Sequence, residues 1–518
     1  MSMPRWLPVG ALTAGALMTL WLLVEPRTPD MAAQVYRVEL FQRAGFTLWD
    51  ERWYAGHHIP GYSLLYPALG SVVGMNLLAV LCVLASSLIF QRIAYIAYGP
   101  SARFGIVWFA VAASCDVWVG RLTFALGVTL ALAAVYALLT DRGWIAALLA
   151  GLSAAASPLV GVFLILAALS NAFSARRMGA RKALIMPVAI VVLALALLFP
   201  EGGFEPYPML SFLATVVVTL AFMWGLPTSQ PTLRLAAVVY LFACAASLLV
   251  HTPMGSNIER YGVLLAGPLL ACSLTPARVT LKTGLVFCVI ALWTVWGPVR
   301  EIAAVAGSNA TRASYYLPIR RFLERHAAQA VRIEVPFTRS HWEAALLAPY
   351  VSLARGWERQ LDKRYDQAIE AAQLSPAIYE QWLQRNAVSY VALPDVTIDG
   401  SSRGEAALIT AGTPYLHEVL HTVHWRLFAV AKPTPLASPP AAVKQMGEDA
   451  FTLRFARPGT SLVRVRYTRY LTGRGVCVRR GQEGWTTVSS TRAGVITIAA
   501  RFSLGRALGL SSRCSDGS

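Results

Sequence analysis

The sequence predicts a polytopic α-helical membrane protein of about eleven spans, with a C-terminal extracytoplasmic α/β region and a small β-sandwich-like domain. Three observations lead there. Of 518 residues, 56% are hydrophobic and only 14% are charged, whereas a soluble globular chain carries about 25% charged residues. Apolar runs of about 17–25 residues, long enough to cross a bilayer core as helices, recur along the first part of the chain. From about Ala303 the pattern changes to that of a soluble domain. The formal net charge of +18 suits anionic headgroups or phosphate-bearing lipids. Basic loops that only set topology give the same excess, so charge alone names no substrate.

The apolar segments lie near 7–24, 71–91, 103–119, 122–140, 143–156, 158–173, 183–199, 209–227, 233–250, 261–275 and 283–299. The stretch 143–173 is split at Ser157-Pro158, because basic residues flank both of its ends. With the N-terminus cytoplasmic, Arg92, Arg103, Arg142, Arg176, Arg177, Arg181, Lys182, Arg234, Arg278 and Lys282 all fall inside, while Glu201 and Glu205 fall outside. This is the positive-inside pattern of a multi-pass plasma-membrane protein. An odd number of spans puts the C-terminus outside. The first segment reads as a span and not a cleaved signal, since no small-residue cleavage site follows Val24.

The expected organisation is a transmembrane domain over 1–302 with a large external loop at 25–70, then an α/β domain at 303–431. A Pro-rich linker at 432–442 and a β-rich domain at 443–518 follow. In the α/β part, YLPIRRFLERHAA, HWEAALLAP and PAIYEQWLQRNA read as helices; VRIEVPF, SYVALPD and WRLFAVA read as strands. Beyond the linker, AFTLRFA, SLVRVRYTRYL, GVCVRR, WTTVSS and VITIAARF alternate with Gly-containing turns, a pattern of small antiparallel sheets. Cys82, Cys115, Cys244, Cys272 and Cys288 lie in or beside spans, leaving Cys477 and Cys514 in the soluble part as a disulfide candidate or two free thiols.

The first external loop carries more polar chemistry than a plain connector needs. Thr28-Pro29 signals a helix start and Gly45 a stop. The helix between them sets Asp30, Gln34, Arg37 and Phe41 along one face. Asp30 suits a helix N-terminus for electrostatic reasons alone; with Arg37 on the same face it also suits a base beside a phosphate clamp. The second half of the loop adds Asp50, Trp53, Tyr54, His57 and His58. Its aromatic rings serve as interface anchors or as the floor of a sugar site, and two adjacent histidines are a weak metal signal. Other polar edges are CDVWVGRLTFALG with Asp116 and Arg121, HTPMGSNIERYG with His251, Asn257, Glu259 and Arg260, and LARGWERQLDKRYD at 353–366. Ionisable groups at span ends mark sites or paths by default.

A competing motif is His417-Glu418-Val419-Leu420-His421, the HExxH spacing of a zinc peptidase helix, in a helix-like segment here. A transporter or an assembly protein without chemistry is a third class. Transporters show related halves and mid-membrane charges, whereas this chain shows no internal repeat and gathers its charges at the external rim.

The chain resembles the C-type glycosyltransferases, polytopic enzymes whose large first external loop holds a catalytic Asp, and in particular actinobacterial-type integral membrane proteins. The matching pieces are PDMAAQVYRVELFQRAGFTLWDERWYAGHHIPGYSLLYP, GRLTFALG, GSNIERYG and the C-terminal α/β plus β-rich layout. The resemblance implies an inverting glycosyltransferase that moves a sugar from a polyprenyl-phosphate donor to an envelope glycan or glycolipid acceptor on the external face. It implies Asp30 or Asp50 as the base. Gln34, Arg37, Trp53, Tyr54, His57, His58, Asp116, Arg121, Asn257 and Arg260 would bind substrate or phosphate. Membrane lipids are the surroundings and nucleic acid is not a partner; no cofactor or metal ligand set is implied, and a divalent cation is compatible with the chemistry. The alternatives are a non-enzymatic envelope assembly or transport protein, or a zinc metallopeptidase through 417–421.

Overall fold

The computed structural model describes residues 8–176, 178–274, 280–326 and 330–509. Arg177, Arg278 and Cys514 lie outside the described residues. The chain forms two compact units.

The first unit comprises residues up to Gln34, Gly61–Leu197 and Gly202–Ala306. Its helices are α1 (Val9–Val24), the start of α2 (Pro29–Ala44), α3 (Tyr66–Val73), α4 (Met75–Tyr98), α5 (Arg103–Trp118), α6 (Leu122–Leu139) and α7 (Gly143–Ala156). They continue with α8 (Pro158–Ser174), α9 (Lys182–Leu198), α10 (Met209–Gly225), α11 (Pro231–Leu249), α12 (Glu259–Ser273) and α13 (Leu281–Val305). Each expected apolar segment contains a helix. The break at Ser157-Pro158 is real: Ser157 is extended (ψ 104°) and Pro158 opens α8, where its missing N–H costs nothing.

Five helical stretches among the described residues are long and apolar enough to cross a membrane: Met75–Trp118, Leu122–Leu139, Gly179–Leu198, Pro231–Leu249 and Leu281–Val305. Helices α7, α8 and α10 are apolar but shorter, and α1 meets α2 at an 81° bend. This is a helical membrane protein. Lipid provides no hydrophobic drive between helices, so close packing at small residues does the work. A Cβ at Gly127 would come within 2.9 Å of Ser157, one at Gly161 within 2.8 Å of Ala154, and one at Gly105 within 2.5 Å of the Pro268 carbonyl. The Ser153 hydroxyl donates across to the Gly127 carbonyl at 2.9 Å, fastening α7 to α6.

The second unit comprises Val35–Pro60, Leu198–Glu201 and Gly307–Ser518, described through residue 509. It contains the rest of α2 and a two-stranded ribbon of β1 (Trp49–Asp50) and β2 (His57–His58). A five-stranded sheet follows in the order β4-β3-β5-β7-β6, with β3 at Arg332–Glu334, β4 at Ser352–Leu353, β5 at Tyr390–Pro394, β6 at Leu416–His421 and β7 at Trp425–Val430. β3 runs parallel to β4 and β5, and β7 is antiparallel to β5 and β6. Helices α14 (Leu317–His326), α15 (Glu343–Leu346), α16 (Arg359–Tyr365), α17 (Pro376–Arg385) and α18 (Arg403–Ala411) accompany it. Ile369, Tyr379, Leu383, Val391 and Phe428 form its core.

Strands β8 (Ala441–Met446), β9 (Ala450–Phe455), β10 (Gly459–Arg466), β11 (Leu471–Gly473), β12 (Val476–Arg480), β13 (Trp485–Ser490) and β14 (Gly494–Ala500) make two antiparallel sheets. Their orders are β11-β14-β9-β8 and β10-β13-β12. Phe451, Leu453 and Phe455 alternate inward along β9, the period of two that the sequence displays. Cys477, on β12, is held in a disulfide.

One sequence expectation is overturned here. HEVLH is strand β6 and not a helix, with His417 paired to Ala429 and His421 to Arg426. On a helix the two histidines would share one face a single turn apart, but along a strand their Cα atoms lie about 13 Å apart. Glu418 accepts from Arg426 at 2.7 Å and contacts His421 at 2.8 Å. Its next partner on β7 supplies the strand propensity that the helical reading missed.

Candidate active site

In the first unit, Asp30, in the first turn of α2, sits between two guanidinium groups. Its Oδ2 is 3.6 Å from Arg121 Nε and 3.7 Å from Arg260 Nη2, with one third of its side chain exposed. Arg121 is held from behind by the buried Asp116, whose Oδ1 accepts from Nη1 at 2.9 Å. Arg260, in the first turn of α12, lies 5.9 Å from the Phe124 ring centroid on α6. Gln34, one helical turn beyond Asp30, donates to the Tyr62 hydroxyl at 2.9 Å.

A backbone contact sets this arrangement. Gly120, with φ +86°, approaches α2 so closely that a Cβ there would lie 2.3 Å from the Met31 nitrogen. The short Gly120-Arg121 connection then delivers Arg121 beside Asp30. Asn257 occupies a short 3-10 turn (Gly255–Ile258) that leads directly into α12. That turn is tied to the preceding loop: Glu205 N–H donates to the Thr252 carbonyl at 3.0 Å and Ser256 N–H to the Pro206 carbonyl at 3.3 Å. His251 lies against Phe204, ring centroids 4.4 Å apart.

The second unit gathers the remaining candidates into a different kind of cluster. The ribbon pairs Asp50 with His57 and Trp49 with His58. Asp50 is fully buried; its Oδ2 accepts from the Tyr36 hydroxyl at 2.9 Å and its Oδ1 from the Arg52 N–H at 3.0 Å. Trp53 stacks between Tyr36 (4.3 Å) and His57 (5.5 Å) and donates to the Ala344 carbonyl at 3.0 Å. The ribbon turn is backbone-strained: Tyr54, Ala55 and Gly56 have φ of +54°, +62° and +130°. A Cβ at position 56 would strike the Trp49 ring at 2.5 Å.

Burial raises the Asp50 carboxyl to about 7 and lowers His57 to about 3. His58 is pushed down by burial and Glu201, 2.9 Å from its Nδ1, is pushed up by burial.

These positions bear on Asp50, an expected catalytic residue, and on several residues expected to bind substrate. Asp50, Trp53, Tyr54 and His57 are at most 1% exposed, so they form a core. Arg37 is not free for a phosphate, because its Nη2 donates to Glu358 at 2.9 Å. Tyr54 donates to Asp362 at 2.8 Å. Glu358 and Asp362 belong to the polar segment 353–366, whose pairing with the first loop no local pattern could reveal. The features that sequence reasoning missed in the first unit are Tyr62, Phe124 and the close approach of Gly120. Only the last had a signal, a glycine directly before Arg121. Among the described residues, no group of three or more His, Cys, Asp or Glu side chains gathers to hold a metal ion.

No family model and no curated protein sequence matches the chain. Among solved structures it is similar to the arabinofuranosyltransferase AftD from mycobacteria, with TM-score 0.46 and 12% identity over 95% of this chain and 57% of that one. It is also similar to the archaeal oligosaccharyltransferase AglB from Archaeoglobus fulgidus, with TM-score 0.29 and 12% identity over 71% of this chain and 65% of that one. The chain thus spans less than two thirds of the length of either. These are distant likenesses, and the chemistry rests on the side chains described above.

Proposed function

We propose that the protein is an inverting membrane glycosyltransferase that transfers a sugar from a polyprenyl-phosphate donor to an envelope glycan or glycolipid on the extracytoplasmic face. The observation that carries this reading is a partly exposed carboxylate, Asp30, flanked by two guanidinium groups at 3.6 and 3.7 Å. The acceptor hydroxyl would give its proton to Asp30 as its oxygen bonds to the anomeric carbon. The bond from that carbon to the donor phosphate breaks, and its electron pair leaves with the lipid phosphate. Arg121 and Arg260 would take up the charge on that leaving group, a task suited to planar forked donors. Asp116 is then a positioning residue that fixes Arg121.

A narrow apolar hollow of about 50 Å³ lies among the helices of the first unit. Thr219, Tyr240, Tyr261, Gly262 and Trp293 are among the residues lining it, and Tyr261 directly follows Arg260. Between the two aspartates the reading selects Asp30, because Asp50 is enclosed and both of its oxygens are occupied.

The test compares envelope glycans and accumulated polyprenyl-phosphate sugars in a deletion strain carrying wild type, Asp30→Asn or Asp50→Asn. The expected result is donor accumulation and glycan loss with Asp30→Asn at normal membrane abundance. Full rescue by Asp30→Asn, or no glycan change on deletion, overturns the proposal. In that case the ion pairs merely hold helix ends together, as in an assembly or transport protein.

A further inference from the structure

We propose that the second unit carries a separate binding cleft for an anionic saccharide, a sugar bearing a phosphate or carboxylate group. The cleft has a volume of about 350 Å³, within the range of small-molecule sites. Its cationic lining comes from three distant stretches of chain: Arg52 after the ribbon strand β1, Arg320 on α14 and Lys444 on β8.

None of the three forms an ion pair among the described residues, and Glu324, one turn from Arg320, is the one carboxylate in the lining. The Nε atoms of Arg52 and Arg320 are buried without a hydrogen-bond partner. So is the Oγ of Ser352 on β4, a lining residue only 1% exposed. Buried donors ordinarily find partners. Three such groups around one hollow, two of them cationic, with the Lys444 ammonium beside them, are the lining expected for an oxyanion.

The local fold builds the cleft deliberately. The β8–β9 register shifts between Val443 and Gln445, and a bulge of this kind re-aims the extra side chain. Lys444 is that residue, and it is exposed. Arg320 is stacked 3.4 Å above the ring centroid of Tyr350, itself 53% exposed. A half-exposed ring beside cations accepts the apolar face of a sugar next to its charged substituent. The saccharide part rests on the transfer reading above; the anion part does not.

The experiment titrates the purified full chain in detergent with glucose 1-phosphate, glucuronate, inorganic phosphate and glucose, followed by calorimetry. One of the two sugar acids is expected to bind more tightly than inorganic phosphate, with glucose silent and affinity falling as salt rises. Lys444→Ala, a surface change, should weaken binding about tenfold, the equivalent of one charge-assisted hydrogen bond. Glu324→Gln should tighten it, because it removes the repelling carboxylate. No binding by either sugar acid, binding of glucose equal to theirs, inorganic phosphate matching both, or Lys444→Ala behaving as wild type would each overturn the proposal. The readout needs no turnover, so its failure leaves the transfer reading standing, and failure of the transfer reading leaves the anion part of this proposal standing.

Discussion

Two aspartates from the one stretch 25–70 meet opposite fates. Asp30 is a third exposed and faces two guanidinium groups at distances longer than a direct hydrogen bond. Asp50 is fully enclosed and accepts two well-formed hydrogen bonds. On the proposed reading, the first exchanges a proton with an arriving acceptor. The second is placed to hold a turn together. Residue type and neighbourhood in sequence are alike, so the difference lies in what the rest of the chain brings to each.

The largest expected effect breaks or confirms that contrast directly. Asp30→Asn should lower transfer about a thousandfold, the scale of a lost general base, while the thermal unfolding midpoint in detergent stays at the wild-type value. A large drop in that midpoint would instead make Asp30 structural. Next, Gly120→Ala forces a positive-φ residue and a methyl group against the Met31 backbone. It should destabilise the protein by about 3 kcal/mol, read by denaturation, and abolish transfer with it.

Arg121→Lys keeps the charge but cannot reach Asp30 and Asp116 together. Transfer should fall about tenfold to a hundredfold in an assay with purified donor, with little change in stability. Asp50→Asn sharpens the other side. Because burial raises the Asp50 carboxyl to about 7, above its unfolded value, the folded chain binds the extra proton. The stability it contributes is present at low pH and is lost between about pH 4 and 7. The unfolding midpoint of Asp50→Asn should therefore gain on wild type as pH rises from 5 to 8; a constant gap would refute the raised value. The smallest effect belongs to His421→Ala. Metal content and transfer should both match wild type, measured by elemental analysis and the donor assay.

Much of the fold was legible because it follows local rules. Long apolar runs are helices, Ser157-Pro158 is a break, and Thr28-Pro29 through Gly45 bounds α2. Strands β9 to β14 follow alternation and glycine turns. HEVLH failed because its pattern of polar and apolar residues fits both periods, and pairing with β7 decided between them. The candidate site was legible as a set of residue types, and Asp30, Asp116, Arg121 and Arg260 do converge. The partition of that set was not legible. Arg37 is taken by Glu358, 321 residues away, and nothing near Arg37 in the chain announces such a partner.

The left-handed run at Tyr54, Ala55 and Gly56 has a practical corollary. Each non-glycine residue in that conformation costs about 1–2 kcal/mol, so the shape exists only while Trp49, Trp53 and their neighbours enforce it. A synthetic peptide covering this stretch would not hold it in solution. Antisera raised on such a peptide should stain denatured blots and ignore the native molecule, whereas binders selected on the intact protein should do the reverse.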